Sequence, residues 1–193
     1  KLFGSVEDLS VMAYVVPYLA PMLENSGATV FLPRERDIQR HEVIVDNDRS
    51  TGGSRFELQP PAEVAGSGRG FILKDTLFTG DNPFMDGTSL RIRGGSALFV
   101  PEIPVRGWYS VTVSYPHIHG YTGSVTFKIT HTGGVAEFTV DQSLGGGTWL
   151  WLGSFLFDAG LDPGRGAVTV TGLSGSDLLV DAVRFGGGMG NVA

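Results

Sequence analysis

Residues 137–157 read EFTVDQSLGGGTWLWLGSFLF, and this stretch decides the fold. Apolar side chains alternate with polar ones up to Asp141, which is the two-residue period of a β-strand. After Thr148 the chain is continuously apolar to Leu152, with two tryptophans alternating with two leucines. Three successive glycines separate the two halves, and glycine tolerates the positive φ of a tight turn. The stretch therefore predicts two strands joined by a turn. Gly153 predicts a bend in the second strand, because a glycine inside a strand marks a bend or bulge.

The same pattern recurs along most of the chain, and no helical pattern interrupts it. Segments of strand length between turn residues are Arg55–Leu58, Gly70–Leu73, Ser89–Ile92, Ala97–Val100, Trp108–Tyr115, Ser124–Thr130, Val135–Val140, Thr148–Leu152, Ser154–Asp158, Ala167–Thr171 and Leu178–Phe185. The segment at Trp108 alternates most clearly, with Tyr109, Val111 and Val113 on one face. The sequence predicts a mainly β protein, an antiparallel β-sandwich of the jelly-roll, carbohydrate-binding-module-like type.

The first 48 residues have a different character. Residues 6–26 carry apolar side chains at helical spacing, with bends expected at the two prolines, and residues 28–32 follow as a short buried strand. A helix followed by a buried strand is half of an α/β unit. We therefore expect a fragment of an α/β domain over residues 1–48, the sandwich over 49–187 and a return segment over 188–193.

The composition excludes several classes of partner. The chain has 193 residues, a net charge of −6 and no cysteine. Nucleic acids and anionic membrane surfaces require basic patches, so neither is expected as a partner. No apolar segment approaches the length of a membrane span. No disulfide framework or thiolate chemistry is available.

Three segments carry a resemblance to a known family. They are EIPVRGWYSVTVSY at 102–115, THTGGVAEFTVDQSLGGGTWLWLGSFLFDAG at 130–160 and VDAVRFGGGMGN at 180–191. They resemble the golvesin C-terminal-like, or "xanthan lyase", carbohydrate-binding-like domain of Bacteroidetes proteins. The resemblance implies a noncatalytic accessory module of a secreted, periplasmic or cell-surface bacterial protein. Its implied partners are a polysaccharide or peptidoglycan glycan and the α/β domain of the same protein.

A second resemblance concerns the N-terminal fragment. The run VEDLSVMAYVVPYLAPMLENSGATVFLPRERD at 6–37 is similar to a βα segment of zinc-dependent N-acetylmuramoyl-L-alanine amidases. Glu7 or Asp8 occupies the position of an acidic zinc ligand in that family. The family's histidines and catalytic glutamate are absent from this chain, and one carboxylate cannot hold zinc. The alternative is that both acids favour a helix N-terminus. An amidase or a xanthan lyase with its catalytic residues mainly outside this chain is the competing function.

Aromatic side chains are the candidate ligand-binding residues, because flat rings stack on sugars and also fill protein cores. Trp149 and Trp151 are expected on one side of their strand, with Leu150 and Leu152 on the other. If the leucines face the core, the two tryptophans are exposed; if the tryptophans face the core, they are packing residues. The remaining candidates for a sugar platform are Trp108, Tyr115 and Tyr121.

No catalytic residue and no cofactor are assigned to this chain, although the amidase resemblance implies zinc in the larger protein. His117 and His119 are two apart but too few to hold a metal. Asp75, Asp81 and Asp86 lack the spacing of an EF-hand, so calcium is not expected. The glycines at 145–147 and 186–188 lack the Lys-Ser/Thr of a phosphate loop and are interpreted as turns. Asp141 and Asp181 are interpreted as caps of backbone N–H groups in turns.

Overall fold

The computed structural model describes residues 41–74, 82–121, 123–173 and 176–187. The strands in these ranges are β1 (Glu42–Asp46), β2 (Arg55–Gln59), β3 (Glu63–Gly70), β4 (Gly87–Arg93), β5 (Ser96–Val100), β6 (Gly107–Val113), β7 (Ser124–His131), β8 (Gly134–Asp141), β9 (Leu150–Phe157), β10 (Ala167–Gly172), β11 (Leu178–Val180) and β12 (Ala182–Gly186). The expected helix at 6–26, the strand at 28–32 and the return segment at 188–193 lie outside the described residues. Within the described ranges, no helix has the length and hydropathy needed to cross a membrane.

The strands form three antiparallel sheets. The four-stranded sheet has the order β1-β12-β6-β9, the five-stranded sheet β2-β5-β10-β7-β8, and the three-stranded sheet β11-β4-β3. All three contribute to one hydrophobic core. Phe185 and Val111 enter it from the four-stranded sheet, Phe127 and Val168 from the five-stranded sheet, and Ile92 from the three-stranded sheet. The fold is therefore an antiparallel β-sandwich, as the alternation predicts.

Strand β6 shows how the alternation sets the two faces. Tyr109, Val111 and Val113 are at most 2% exposed and belong to the core, whereas Trp108 is 55% exposed. Strands β12 and β9 flank β6 on either side, so β6 is an interior strand. Its apolar face is fully used by the core, and its other face is the outer surface of the four-stranded sheet.

The bend expected at Gly153 is a register shift in β9. Thr112 of β6 pairs with Trp151, and the next residue back along β6, Val111, pairs with Gly153. Two residues of β9 therefore span one step of β6, which is the arrangement of a β-bulge. The extra residue changes which positions face outward. It lets Trp151 face out while Phe157, six positions later, faces the core.

The N-terminal limit of the sandwich differs from the expected boundary after residue 48. Strand β1 pairs along its whole length with β12, from Glu42 opposite Gly186 to Asp46 opposite Ala182. Val43 and Val45 belong to the core. The segment EVIVD was missed because its alternation is obscured by a buried aspartate and by Ile44, which is buried on the outer face. The sandwich therefore includes residues on the N-terminal side of the expected boundary.

Two further expected strands are corrected. Glu63–Gly70 is a strand, whereas the expected strand Gly70–Leu73 is not one beyond its first residue, Gly70. Seven of the eight residues of β3 are exposed, so its sequence lacks the apolar face from which strands are recognised. The expected strand Leu178–Phe185 is divided at Asp181. Its first part pairs with β4 and its second part with β1 and β6, so the chain passes from one sheet to another at this residue.

Candidate functional site

The outer face of the four-stranded sheet carries two exposed tryptophans. The β-ladder places Ile44, Arg184, Thr112 and Trp151 in one row across β1, β12, β6 and β9. Trp108 lies four residues before Thr112 on β6, which corresponds to about 13 Å along the strand. Trp108 is 55% exposed and Trp151 45%. The two indole rings therefore mark the two ends of one surface on neighbouring strands.

Small polar side chains lie between these two rings. Ser110 of β6 pairs with Ser154 of β9, and both share the outer face with Trp108. Ser154 is exposed and Ser110 half-buried. The hydroxyl of Thr112 on the same face is buried and has no hydrogen-bond partner. Two aromatic rings separated by hydroxyl groups provide both stacking and hydrogen bonding, so this surface, called the tryptophan platform below, can hold a polar ligand with apolar ring faces.

Trp149 does not belong to this platform, because other side chains pack against its ring. Its ring centroid lies 4.9 Å from that of Phe71 and 5.6 Å from that of Phe84. The guanidinium carbon of Arg184 lies 5.9 Å from its ring centroid, within the range of a cation–π contact. Leu152, in contrast, belongs to the core. The leucines therefore face inward, and of the two tryptophans Trp151 is exposed while Trp149 packs in a small apolar cluster.

Arg184 stabilises the layer beneath the tryptophans. Its side chain is 6% exposed and forms a salt bridge with Glu42, with 2.8 Å between Nε and Oε1. Its Nη2 donates to the backbone oxygen of Gly187 at 2.7 Å. Burial lowers the pKa of Arg184, and the carboxylate of Glu42 opposes that change. The salt bridge and the hydrogen bond of Arg184 therefore hold the backbone at Gly187 against the sheet.

Tyr115 is a core residue, which corrects its expected role in a sugar platform. It is 1% exposed, and its hydroxyl donates to the backbone oxygen of Leu144 at 2.6 Å. Burial raises the pKa of Tyr115, with a further rise from the charge of Asp141. Tyr115 stands two residues after Val113, the spacing that puts two side chains on one face of a strand. The hydrogen bond ties the end of β6 to the glycine turn at 145–147.

Tyr121 lines a cavity beside the loop 116–121. The cavity has a volume of about 290 Å³ and is bounded by Arg91, Tyr121, Asp177 and the 118–120 segment. A neighbouring cavity of about 220 Å³ shares Arg91 and Ile118 and continues along residues 65–68 of β3. The Tyr121 hydroxyl donates to the backbone oxygen of Asp177. The two cavities form one depression between the three-stranded sheet and the loop 116–121, called the loop groove below.

Two arginines share one carboxylate at the loop groove. Arg91 Nε donates to Asp177 Oδ2 at 2.7 Å, and Arg93 Nε donates to Asp177 Oδ1 at 3.3 Å. Burial alone raises the pKa of Asp177, but the hydrogen bonds and charges of the two guanidinium groups outweigh it and leave that pKa below its usual value. Sequence reasoning missed this cluster, although Arg91 and Arg93 stand two apart, the spacing that puts side chains on one face of a strand.

Two buried aspartates form a second feature that the sequence did not indicate. Asp181 is 1% exposed; its Oδ1 accepts from the Phe71 N–H at 2.9 Å and its Oδ2 from the Ser114 hydroxyl at 2.6 Å. It therefore joins distant segments, instead of capping a local turn as expected. Asp46 is 2% exposed, and its Oδ2 has no hydrogen-bond partner. Burial raises the pKa of Asp46 to about 8 and that of Asp181 to about 6.

Asp141 and the glycines behave as turn residues. Asp141 Oδ1 accepts from the Ser143 N–H at 2.9 Å, which confirms the predicted cap. Gly145 and Gly147 have φ values of 67° and 76°, and a Cβ on Gly146 would lie 2.7 Å from the backbone of the 116–117 segment. The triple glycine is therefore required both by the turn and by the close approach of two loops.

Metal ligands are not assembled in the described ranges. His117 and His119 are exposed in the loop 116–121. Within residues 41–74, 82–121, 123–173 and 176–187, no three His, Cys, Asp or Glu side chains are grouped so that they could hold a metal ion. Glu7 and Asp8, the zinc-ligand candidates, lie outside these ranges, as do Asp75 and Asp81. The zinc role of Glu7 or Asp8 stays a prediction.

Comparison with protein families identifies the sandwich. The family model described as the golvesin C-terminal domain matches residues 83–187, which is more than half of the chain. The chain belongs to the golvesin C-terminal domain family. The matched region runs from β4 to β12, so it contains the loop groove's arginines and both ends of the tryptophan platform. Strands β1 to β3 precede the matched region but complete the sheets of this golvesin-type domain.

Known relatives of this golvesin-type domain include much larger proteins. The chain is 29% identical over 149 residues to the xanthan lyase of Bacillus sp. (strain GL1), covering 74% of this chain and 14% of that protein. The structure of a Paenibacillus xanthan lyase matches with a TM-score of 0.49 and 24% identity, covering 75% of this chain and 13% of that one. A family 35 carbohydrate-binding module from Clostridium thermocellum matches with a TM-score of 0.36 and 13% identity, covering 69% of this chain and 98% of that module. The chain thus spans about one seventh of the curated relative it matches.

Proposed function

We propose that this golvesin-type domain is a noncatalytic carbohydrate-binding module of a larger secreted bacterial protein that acts on a polysaccharide or on peptidoglycan. The relation to a segment of a xanthan lyase supports a polysaccharide as the ligand class. Because the chain corresponds to about 14% of that relative, the role proposed for it is that of an accessory domain, with the catalytic residues elsewhere in the parent protein.

The observation that carries this proposal is the exposure of Trp108 and Trp151 on one face. A buried tryptophan needs no further explanation, but two indole rings about half-exposed on neighbouring strands leave apolar surface in water. Sugar rings present C–H faces that cover such surface and hydroxyl groups that pair with polar side chains. Ser110 and Ser154 lie between the rings and provide those hydroxyl partners. The tryptophan platform therefore matches the chemistry of a short oligosaccharide.

The net charge of −6 is consistent with this reading of the platform, because stacking on a neutral or weakly charged glycan does not depend on a basic surface. The proposal includes two further properties of the parent protein. The sandwich packs on an α/β domain of the same protein, and that protein is located outside the cytoplasm. Both are tested by determining the parent protein's sequence on either side of this chain and by locating that protein in cell fractions.

The proposal is tested by binding measurements with Trp108→Ala and Trp151→Ala. The chain is first applied to a glycan array that includes xanthan and peptidoglycan fragments, and the best ligand is then titrated calorimetrically. Each substitution is expected to weaken binding at least tenfold, which corresponds to about 1.4 kcal/mol. Tryptophan fluorescence is the second measurement. The fluorescence change that the ligand causes in the unaltered chain should be reduced in each variant.

Val135→Ala is the matched control. Val135 is 54% exposed on β8, in the five-stranded sheet. Its replacement by alanine therefore removes exposed apolar surface from a sheet that does not carry the tryptophan platform. It should bind glycans as the unaltered chain does. If no glycan on the array binds, or if both tryptophan variants bind as tightly as the Val135 variant, the platform has no part in ligand binding and the proposal is wrong.

A further inference from the structure

The loop groove is a second site with a chemistry of its own. It lies between the three-stranded sheet and the loop 116–121, and none of its lining residues belongs to the tryptophan platform. Together its two cavities are of a size that holds a small ring-shaped ligand. The tryptophan platform offers rings and hydroxyl groups, whereas the loop groove offers a cation.

The floor of the groove is bare backbone. Residues 65–68 of β3 have the sequence AGSG, so almost no side chain rises from this part of the strand. Strand β3 is the outer strand of its sheet, so its backbone N–H and C=O groups on one side have no strand partner among the described residues. Tyr121 and Ile118 provide the ring and the apolar wall against which a sugar ring can pack.

The groove is lined by the guanidinium of Arg91 and by the carboxylate of Asp177. Arg91 and Arg93 share the single carboxylate of Asp177, which has one oxygen for each Nε. Glu63 stands opposite Arg93 in the β3–β4 register, so an acidic residue occupies the neighbouring strand at that position. Arg91 faces Gly66 at the corresponding position, so no second acid stands opposite it. Its side chain is 47% exposed and lines both cavities.

A guanidinium group offers five N–H donors in a plane and pairs with a carboxylate through two of them. Arg91 contacts Asp177 through Nε, which leaves the guanidinium donors of the other edge for a ligand in the groove. Two guanidinium groups share one carboxylate here, so this cluster carries a net positive charge although the whole chain is acidic. A local positive charge favours an anionic ligand. His119 on the groove wall adds an imidazole that can donate a hydrogen bond.

We propose that the loop groove binds a carboxylate-bearing sugar residue, a uronic acid or a similarly acidified unit of a glycan, with its carboxylate on Arg91 and its ring against Tyr121. The ligand class rests on the proposed function, because a saccharide is assumed, but the site is separate. The groove then gives the domain a preference for acidic glycans that the tryptophan platform cannot provide.

The test compares an oligogalacturonate with its methyl-esterified form, which has the same rings without the charge. Binding of both to the full chain is measured by calorimetry, and the contact residues are located by NMR shifts of the Tyr121 and His119 signals. The chain is expected to bind the acid at least tenfold more tightly than the ester, and this preference should decline as salt is added. Arg91→Gln should abolish the preference, whereas Arg93→Gln should retain most of it.

The outcomes separate this proposal from the proposed function. Trp108→Ala and Trp151→Ala should leave the ratio of acid to ester affinity unchanged, even where they weaken both affinities. Equal binding of acid and ester, or a preference that survives Arg91→Gln, overturns the groove proposal and leaves the platform intact. An acid preference that depends on Arg91, together with acid and ester affinities that neither tryptophan substitution lowers, supports the groove and overturns the platform.

Two further measurements keep the result clear of folding effects. The circular dichroism spectrum and the thermal unfolding temperature of Arg91→Gln must equal those of the unaltered chain, so that a change in binding is not a result of misfolding. Asp177→Asn is the complementary variant, because it removes the anion that competes for Arg91 and should tighten binding of the acid. If Asp177→Asn weakens the acid and the ester alike, the arginines serve the fold and not a ligand, and the proposal is wrong.

Discussion

At the scale of single residues, the least expected feature is a set of buried polar groups that take the place of backbone pairing. Gln142 is 1% exposed, and its side-chain amide both donates to the backbone oxygen of Leu179 and accepts from the Leu179 N–H. It therefore acts as one more residue of a partner strand at the edge of β11. Without it, two buried backbone groups would lose their partners, at about 1–3 kcal/mol each. Its neighbour in sequence, Asp141, caps an exposed turn. The position of Gln142 next to this turn therefore did not predict that its side chain is buried.

Asp46 gives a prediction about pH. Burial raises its pKa to about 8, from 3.8 in the unfolded chain. Between pH 4 and pH 8 the folded chain therefore keeps a proton that the unfolded chain has released, so the free energy of unfolding falls as the pH rises. Asp181, with a pKa of about 6, acts in the same direction between pH 4 and pH 6. Urea unfolding should show a stability lower at pH 8 than at pH 5 by a few kcal/mol.

Asp46→Asn should flatten this pH dependence and make the chain more stable than the unaltered one at pH 8, because the amide carries no charge to bury. Asp141→Asn is the control; that carboxylate is exposed, and a hydrogen bond from Ser143 lowers its pKa. Its replacement should leave the slope between pH 5 and pH 8 in place. A slope that is the same with and without Asp46 would contradict the assignment.

At the scale of elements, the bulge in β9 determines the surface of the four-stranded sheet. A regular strand would have put Trp151 and Phe157 on the same face, since they are six residues apart. The bulge opposite Val111 reverses the alternation, so that Phe157 is buried and Trp151 exposed. The glycine at this bend was therefore the signal in the sequence that allowed one strand to serve both the core and the platform.

Gly153→Ala tests this arrangement. Gly153 has a φ of 152°, and a Cβ there would lie 2.8 Å from the Cζ atom of Phe155. The substitution should cost about 1–3 kcal/mol of stability in urea unfolding, because an L side chain is strained at this φ and meets the ring. Gly107→Ala on the facing strand is the control, since its Cβ would meet nothing closer than 3.7 Å. Equal stability of the two variants would show that the bulge does not require glycine.

At the scale of the whole molecule, the sandwich begins earlier than the change in composition suggests. Strand β1 covers the outer edge of β12, the strand that carries Arg184 and Phe185. It buries Val43, Ile44 and Val45. Each such side chain contributes about 1.5–3 kcal/mol on burial, so together they equal a large part of the stability of an ordinary domain.

We therefore expect a chain beginning at residue 41 to unfold cooperatively and one beginning at residue 49 to fail to do so. Thermal unfolding followed by circular dichroism, with light scattering to detect association through the uncovered edge of β12, distinguishes them. A cooperative transition at the same temperature in both chains would restore the boundary at residue 48.

The alternation of the sequence alone determined the class of fold, most of the strands and the glycine turns, because the two-residue period and the need for positive φ are properties of a few adjacent residues. The inward face of β6 was also readable, since Tyr109, Val111 and Val113 are apolar together. The amidase-like fragment lies outside the described residues and stays a prediction.

Only the tertiary structure decided which face of a strand is buried when both faces are apolar, as for Trp149 and Trp151. It also revealed strand β3, the pairing of Gln142 with Leu179, the burial of Asp46 and Asp181, and the loop groove around Arg91. Each of these depends on contacts between residues far apart in the chain. Alternation describes one strand at a time, whereas burial and charge pairing are fixed by which strands and loops come to lie beside it.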